Sequence, residues 1–282
     1  MNGLFNTYRP SRELEDVVEL YWHSKCYLEQ SLVQEMYTPT FQAMTFNLSG
    51  QHEDIISEEM SFRMDKDCYL IGQPLSKRVS ISSSYGIDIL GVKFTALGLY
   101  KITGIDMRHI SNRIIDANEV WNFEIDLLYE EILDRPSISE RIRAIERFLT
   151  KKKIHQNFDE KAHLLHHSIC QMEANNIYDI SRIRQSVFTT KKTYERYFLN
   201  YMGVPPKQYA NICRFNNVFK YMETISEPPD WHDIVVRFGY YDQSHFIREF
   251  KRYSGKTPSE FYLQRNPVIA PEPAVALQKV FG

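Results

Sequence analysis

Two textures divide the chain. Over roughly the first hundred residues the apolar positions come in short runs, "MYTPTFQAMTFNLSG", "CYLIGQ", "KRVSISSSYG" and "IDILGVKFT", several alternating in period two and bounded by Gly, Ser or Pro. Such alternation, rich in β-branched and aromatic residues, predicts short strands in a small sandwich or barrel. After "TALGLYKITG" the period changes. Pro136-Ser137 followed by Glu140 is a capping box, and Ile138, Ile142, Ile145 and Leu149 carry a helical stripe to about Thr150. "TKKKIHQN" then makes a polar, charged break of the kind that separates domains. From Phe158 onward the pattern predicts helices at 158–174, 180–187, 190–201, 206–225, 232–238, 242–253 and 258–264. The last stretch, "NPVIAPEPAVALQKVFG", has three prolines and predicts an extended tail. The expected class is α+β: a β-rich domain at 1–150, a linker at 151–157, an all-helical domain at 158–265 and a tail at 266–282.

Within the helical half one unit occurs twice. "TYERYFLNYMGVPPKQY" (193–209) lies over "HFIREFKRYSGKTPSEF" (245–261) at a constant offset of 52, so that Phe198 meets Phe250, Tyr201 meets Tyr253, Gly203 meets Gly255, Pro206 meets Pro258 and Tyr209 meets Phe261. Upstream, Ile180 to Ile183 and His232 to Val235 open each unit with a short helix, followed by a turn at Phe188-Thr-Thr or Gly239-Tyr-Tyr. Short helix, tight turn and second helix form the helix-turn-helix order. Gly239 is suited to a left-handed turn, and Asp242 to accepting from the first amides of the next helix. Phe246, Phe250 and Tyr253 recur at core spacing, which turns Gln243, Ser244, Ile247, Arg248 and Lys251 outward. Gly255 closes that helix, and Thr257-Pro-Ser-Glu260 caps the next one. The connecting helix, Pro206 to Ile225, would run about 30 Å at 1.5 Å per residue. Successive major-groove openings on one face of B-DNA lie about 34 Å apart. One chain could thus present two helices to adjacent grooves.

Charge supports that destination. The formal net charge of −2 conceals a split: residues 178–265 carry +5 and the remainder −7. A basic half within an acidic chain is a footprint of nucleic-acid binding, although basic helical domains also occur without it. The composition, 43% hydrophobic with 13% aromatic residues, excludes a largely disordered chain. Cys26, Cys68, Cys170 and Cys213 are spaced for neither a metal knuckle nor a disulfide framework. The start, "MNGLFNTYRP", lacks the features of a secretion signal and no run of eighteen apolar residues follows, so a cytoplasmic protein is expected, away from the membrane.

The segment 160–265, and "DIVVRFGYYDQSHFIREFKRYSGKTPSEF" above all, resembles the tandem helix-turn-helix domain of AraC-type (AraC/XylS) transcription regulators. The first 150 residues, with "LYWHS", "FNLSG", "YLIGQ" and "LGVKFTALGLYKITG", are similar to the cupin-like β-barrel sensor domain that precedes such domains. The resemblance implies a cupin-like barrel with flanking helices followed by an all-α reader. It also implies base-facing residues at Lys192, Glu195 and Arg196 in the first reading helix, and at Gln243, Ser244, Ile247 and Arg248 in the second. Arg196 and Arg248 suit guanine O6 and N7, Gln243 suits adenine, and Glu195 suits cytosine N4. Lys191, Lys207, Lys251 and Arg252 suit phosphates, the alternative for each being a solvated surface charge. The first motif departs from the family pattern: Arg184 stands where a small Ala is usual and Phe188 where the turn usually has Gly. Either change could alter the packing angle of the reading helix.

Other candidate chemistry is thin. His163, His166 and His167 share one predicted helix at chelating spacing, but no carboxylate or thiolate clearly completes a metal set. His23, His52 and His109 stand alone, and no phosphate loop, serine elbow or Cys-His pair at a recognisable spacing occurs. No catalytic residue, metal or cofactor is assigned. Trp22, Phe41, Phe46, Tyr69 and Phe94, with Tyr21, would line a ligand cavity in a barrel or else form its core. In the resembling regulators, helices beside the barrel carry dimer contacts, which here nominates Leu127, Leu128, Ile132 and Leu133. The expected partners are double-stranded DNA, a small-molecule effector of unknown identity, RNA polymerase and a second copy of the chain. The competing reading is a metal- or sugar-dependent cupin-type enzyme with an accessory helical domain.

Overall fold

The computed structural model describes residues 3–27, 32–37, 40–50, 53–57, 61–64, 66–75, 78–83, 86–153, 160–225, 227 and 229–264. Most of the expected linker, His52 and the tail lie outside them. The strands come first: β1 (Gly3–Tyr8), β2 (Val18–Tyr27), β3 (Leu32–Tyr37), β4 (Gln42–Asn47), β5 (Glu53–Ser57), β6 (Ser61–Met64), β7 (Cys68–Ile71), β8 (Arg78–Ser83), β9 (Gly86–Phe94) and β10 (Ile114–Asp116). They form two antiparallel sheets, one in the order β1-β2-β9-β4-β7-β10 and one in the order β3-β8-β5-β6. Between β9 and β10 run α1 (Gly98–Thr103) and a single 3-10 turn at Met107–His109. After β10 come α2 (Asn118–Trp121), α3 (Phe123–Asp134) and α4 (Ile138–Lys152).

The long central pair β2 and β9 shows why alternation selects a strand here. Trp22 stands opposite Gly91, and the indole lies where a β-carbon at Gly91 would have to be, so only glycine lets the ring lie on the sheet. Tyr21, Met44, Phe46, Leu70, Leu90, Val92 and Phe94 pack against Ile125, Leu128, Ile132, Ile142, Ile145 and Leu149 of α3 and α4. Each such aliphatic side chain contributes about 1.5–3 kcal/mol on burial. The expected capping box is present: Ser137 Oγ accepts from the Glu140 amide at 3.3 Å and donates to its carboxylate at 2.8 Å.

One expectation is corrected in this half, and the aromatics Trp22, Phe41, Phe46, Tyr69 and Phe94 are buried. Phe46 and Phe94 belong to the helix-backed core, whereas Trp22 and Phe41 form a separate cluster with Ala43. Tyr69 is buried as well, its hydroxyl accepting from the Lys66 amide at 2.5 Å. Of the four residues nominated for dimer contacts, Leu128 and Ile132 are interior, because α3 turns its Ile125, Leu128 and Ile132 stripe to the sheet; Leu127 and Leu133 are exposed. All four cysteines are free thiols, and burial pushes those of Cys68 and Cys213 well up.

The helical half follows as α5 (Glu160–Glu173), α6 (Ile180–Ser186), α7 (Lys191–Met202), α8 (Pro206–Thr224), α9 (Trp231–Arg237), α10 (Gln243–Ser254) and α11 (Pro258–Gln264), each within two residues of expectation at both ends. Its first cluster gathers Leu165, Ile169, Met172, Ile183, Tyr194, Phe198 and Met202, and accepts Leu97 from the sheet-bearing half. Tyr100 and Tyr201 meet there in a tilted contact with ring centroids 4.4 Å apart. Gly203, left-handed at φ 73°, ends α7 so close to the 3-10 turn that an added β-carbon would lie 2.5 Å from the Met107 carbonyl oxygen.

Gly203→Ala and Gly239→Ala should therefore differ in cost. Both positions are left-handed, but Gly239 faces open space. Thermal unfolding should show a loss of about 1 kcal/mol for Gly239→Ala, from the backbone alone, and a larger one of about 2–3 kcal/mol for Gly203→Ala. Equal losses would mean that the 3-10 turn yields freely to the new methyl group.

Candidate nucleic-acid interface

Each helix-turn-helix unit is assembled from local hydrogen bonds. Asp179 opens α6 by accepting from the Ser181 and Arg182 amides at 2.8 and 3.1 Å. After Val187 the chain turns through Phe188, and Thr190 Oγ1 then accepts from the Thr193 amide at 3.2 Å to start α7. In the second unit Asp230 accepts from His232 at 2.8 Å, Gly239 makes the turn, and Asp242 accepts from His245 at 2.6 Å to start α10. Both second helices are twelve residues long and end on a left-handed glycine, Gly203 or Gly255.

At Phe188, the first departure, the turn keeps a left-handed residue. Phe188 has φ 48°, close to the 66° of Gly239, so the bulky residue adopts the left-handed conformation that glycine adopts in the other copy. Arg184, the other departure, donates from Nη1 to the Thr189 carbonyl at 2.9 Å and ties the turn down. The two unusual residues thus act on one backbone segment.

Burial follows the expected phase. On α7, Tyr194, Phe198 and Met202 point inward while Lys192, Glu195 and Arg196 are exposed. Lys191 lies 4.0 Å from Glu195, one turn on, and the Arg196 guanidinium sits 5.5 Å from the Tyr197 ring. On α10, Phe246, Phe250 and Tyr253 are buried while Gln243, Ser244 and Arg248 are exposed; Ile247 is half-buried against the second cluster. Lys207, Lys251 and Arg252 are exposed. His163, His166 and His167 are exposed on α5, with His166 3.6 Å from Cys170 and His167 3.3 Å from Ser186 Oγ. No group of three metal-ligating side chains occurs among the described residues.

One feature of the interface had no local signal in the sequence. Arg214, in the middle of α8, forks onto Glu249 of α10 at 2.8 and 2.6 Å, both side chains being only 8% exposed. Its guanidinium also lies 4.4 Å from the centre of the Tyr240 ring and donates to the Gly239 carbonyl at 3.3 Å. Burial alone would lower the Arg214 pKa, but the bonds to Glu249 outweigh it and hold the pKa above its usual value. Burial, with Glu249 nearby, pushes the Tyr240 hydroxyl well up. A cation on the apolar side of α8 and a carboxylate between Phe246 and Phe250 were the only hints.

Two capped, doubly terminated units, each turning a polar face outward from an aromatic core, define a tandem helix-turn-helix domain. Residues 185–264 match a helix-turn-helix domain family, and this carboxyl-terminal domain is of the AraC type found in transcription regulators. Residues 6–116 match a domain of unknown function, DUF6597. No curated protein matches the chain. Among solved structures, ToxT from Vibrio cholerae is similar with a TM-score of 0.42 and 15% identity over 93% of this chain and 98% of that one. ToxT from Vibrio cholerae O395 bound to (E)-4-(8-methylnaphthalen-1-yl)but-3-enoic acid gives 0.43 and 15% over 93% and 99%. The AraC-like transcriptional activator CuxR gives 0.27 and 10% over 79% and 96%.

The buried pair makes a stability prediction. Arg214→Met leaves the buried Glu249 carboxylate without its guanidinium and with His245, 3.7 Å away, as a remaining partner, which should cost about 3–5 kcal/mol in urea unfolding. Adding Glu249→Leu should recover most of that loss. A double variant as unstable as the single one would show that the aromatic contacts of Arg214, and not its charge, hold α10.

Proposed function

We propose that the protein is a sequence-specific transcription regulator that sets α7 and α10 into successive major grooves of one duplex. The observation that carries this reading is the duplicated unit: two twelve-residue helices, each fixed by an N-cap and a left-handed glycine, both turning cationic or amide-bearing side chains to solvent. The connecting helix α8 has 19 residues, about 28 Å of rise, which approaches the spacing of adjacent grooves. Arg248 and Arg196 contact guanine, Gln243 adenine and Glu195 cytosine, while Lys192, Ser244 and Ile247 complete the reading faces. Lys191, Lys207, Lys251 and Arg252 hold phosphates and set register.

The same reading divides the chain into a sensor or dimerisation domain at 1–150, built as a cupin-like barrel, and a DNA-binding domain at 158–265, joined by 151–157. A small-molecule effector acting on the first domain is part of it. Such a ligand raises the melting temperature by mass action, which a thermal-shift screen of metabolites detects.

Gel shifts on sequences selected from a random pool test the assignment of bases. Arg248→Ala should lose about 1–3 kcal/mol on the selected site and relax preference at one base pair. An equal loss on every sequence would make Arg248 a phosphate contact instead. Native affinity should also fall steeply as salt rises, and affinity that ignores salt would remove DNA as the ligand.

A further inference from the structure

Phe188 gives the fold little that glycine would not give. Its backbone is left-handed, a conformation that disfavours a side chain of this size, and its ring is 97% exposed. An outlier maintained in that way points to a use outside the fold. In the second unit the left-handed turn position is taken by Gly239, and the exposed ring of the turn before α10, Tyr241, does not share that conformation. Beside Phe188 opens a cleft of about 860 Å³ between α5 and α7, lined by Lys161, His163, His167, Thr193 and Tyr197 together with Phe188 itself. No carboxylate is among its described lining residues. Lys161 lies 5.9 Å from the Tyr197 ring centre, and Arg196 approaches the same ring from its own side of α7. The cleft therefore flanks the reading face formed by Lys192 and Arg196.

We propose that this cleft binds the sugar–phosphate backbone of the duplex whose groove α7 enters, with Phe188 lying against deoxyribose and Lys161 paired with a phosphate. This rests on reading the chain as a duplex-binding protein. The chemistry is that of a polyanion with apolar faces: a cation, imidazoles and a threonine hydroxyl line the cleft, and a large exposed ring rims it. A contact of this kind holds register without reading sequence. The first unit thereby grips the backbone through residues the second does not share, since Gly239 occupies the position of Phe188.

Anisotropy titrations of the full chain on a mixed-sequence duplex of about 30 base pairs, at several salt concentrations, test the site without any known operator. K161Q should weaken binding on all sequences alike and reduce the slope of log affinity against log salt by about 1. F188G should weaken binding by about threefold to tenfold, as expected for losing a partly buried ring, with the salt slope unchanged. Its melting temperature should not fall, because glycine relieves the left-handed strain. Native-like affinity and slope in both variants would overturn the proposal, as would a markedly lower melting temperature for F188G, which would make Phe188 a fold residue. A native protein that binds no duplex would instead overturn the regulator reading itself, whatever the variants do.

Discussion

The relation between the two reading helices depends on one shared strut. Helix α8 gives Tyr209 and Cys213 to the first cluster and Ile212, Phe215, Val218, Phe219 and Met222 to the second, so each helix-turn-helix unit packs on a different flank of the same rod. At its middle Arg214 bonds to Glu249 of α10 and to the Gly239 carbonyl of the preceding turn. Three turns of α8 therefore fix both the angle of the second reading helix and the backbone that aims it. Asn217, one turn further, donates to Asn176 Oδ1 at 2.8 Å and to the Tyr178 hydroxyl at 2.9 Å, tying the same rod to the lead-in of the first unit. A buried ion pair is a poor source of net stability, since desolvation offsets its attraction, but it tolerates few other geometries. Here that selectivity falls on the direction of α10.

Much of the helical half was legible because its signals are local. Asp179, Thr190, Asp230 and Asp242 cap within three residues of themselves, and glycines terminate where the apolar stripe ends. The offset of 52 then ties one unit to the other without reference to packing. Arg214 and Glu249 escaped because they are 35 residues apart and neither is unusual alone. Phe188 is hard to read for a related reason. A missing glycine signals a changed turn only if nothing else holds the backbone, and Arg184 holds it by a side-chain bond that no spacing rule encodes. In the sheets, periodicity announced strands but could not say which face of each met α3 and α4. Phe46 and Trp22, opposite the consecutive β9 residues Leu90 and Gly91 and so on opposite faces of one sheet, accordingly went to different clusters.

The two reading helices also differ in what stands behind them. The end of α7 is seated on the sheet-bearing half: Tyr201 meets the Tyr100 ring, Gly203 abuts the Met107 carbonyl, and Leu97 enters the first cluster. Helix α10 is held by α8, α9 and α11, through Phe215, Trp231 and Phe261, and by Tyr240 of the turn, around Phe250 and Phe246. A displacement of residues 97–111 is thus passed to α7 by direct contact. Close packing leaves no slack at Gly203 to absorb such a movement. The two units share a plan, and Leu75 of the amino-terminal half packs against both cores, but the first additionally takes Leu97, the Tyr100 ring and the Met107 carbonyl against it.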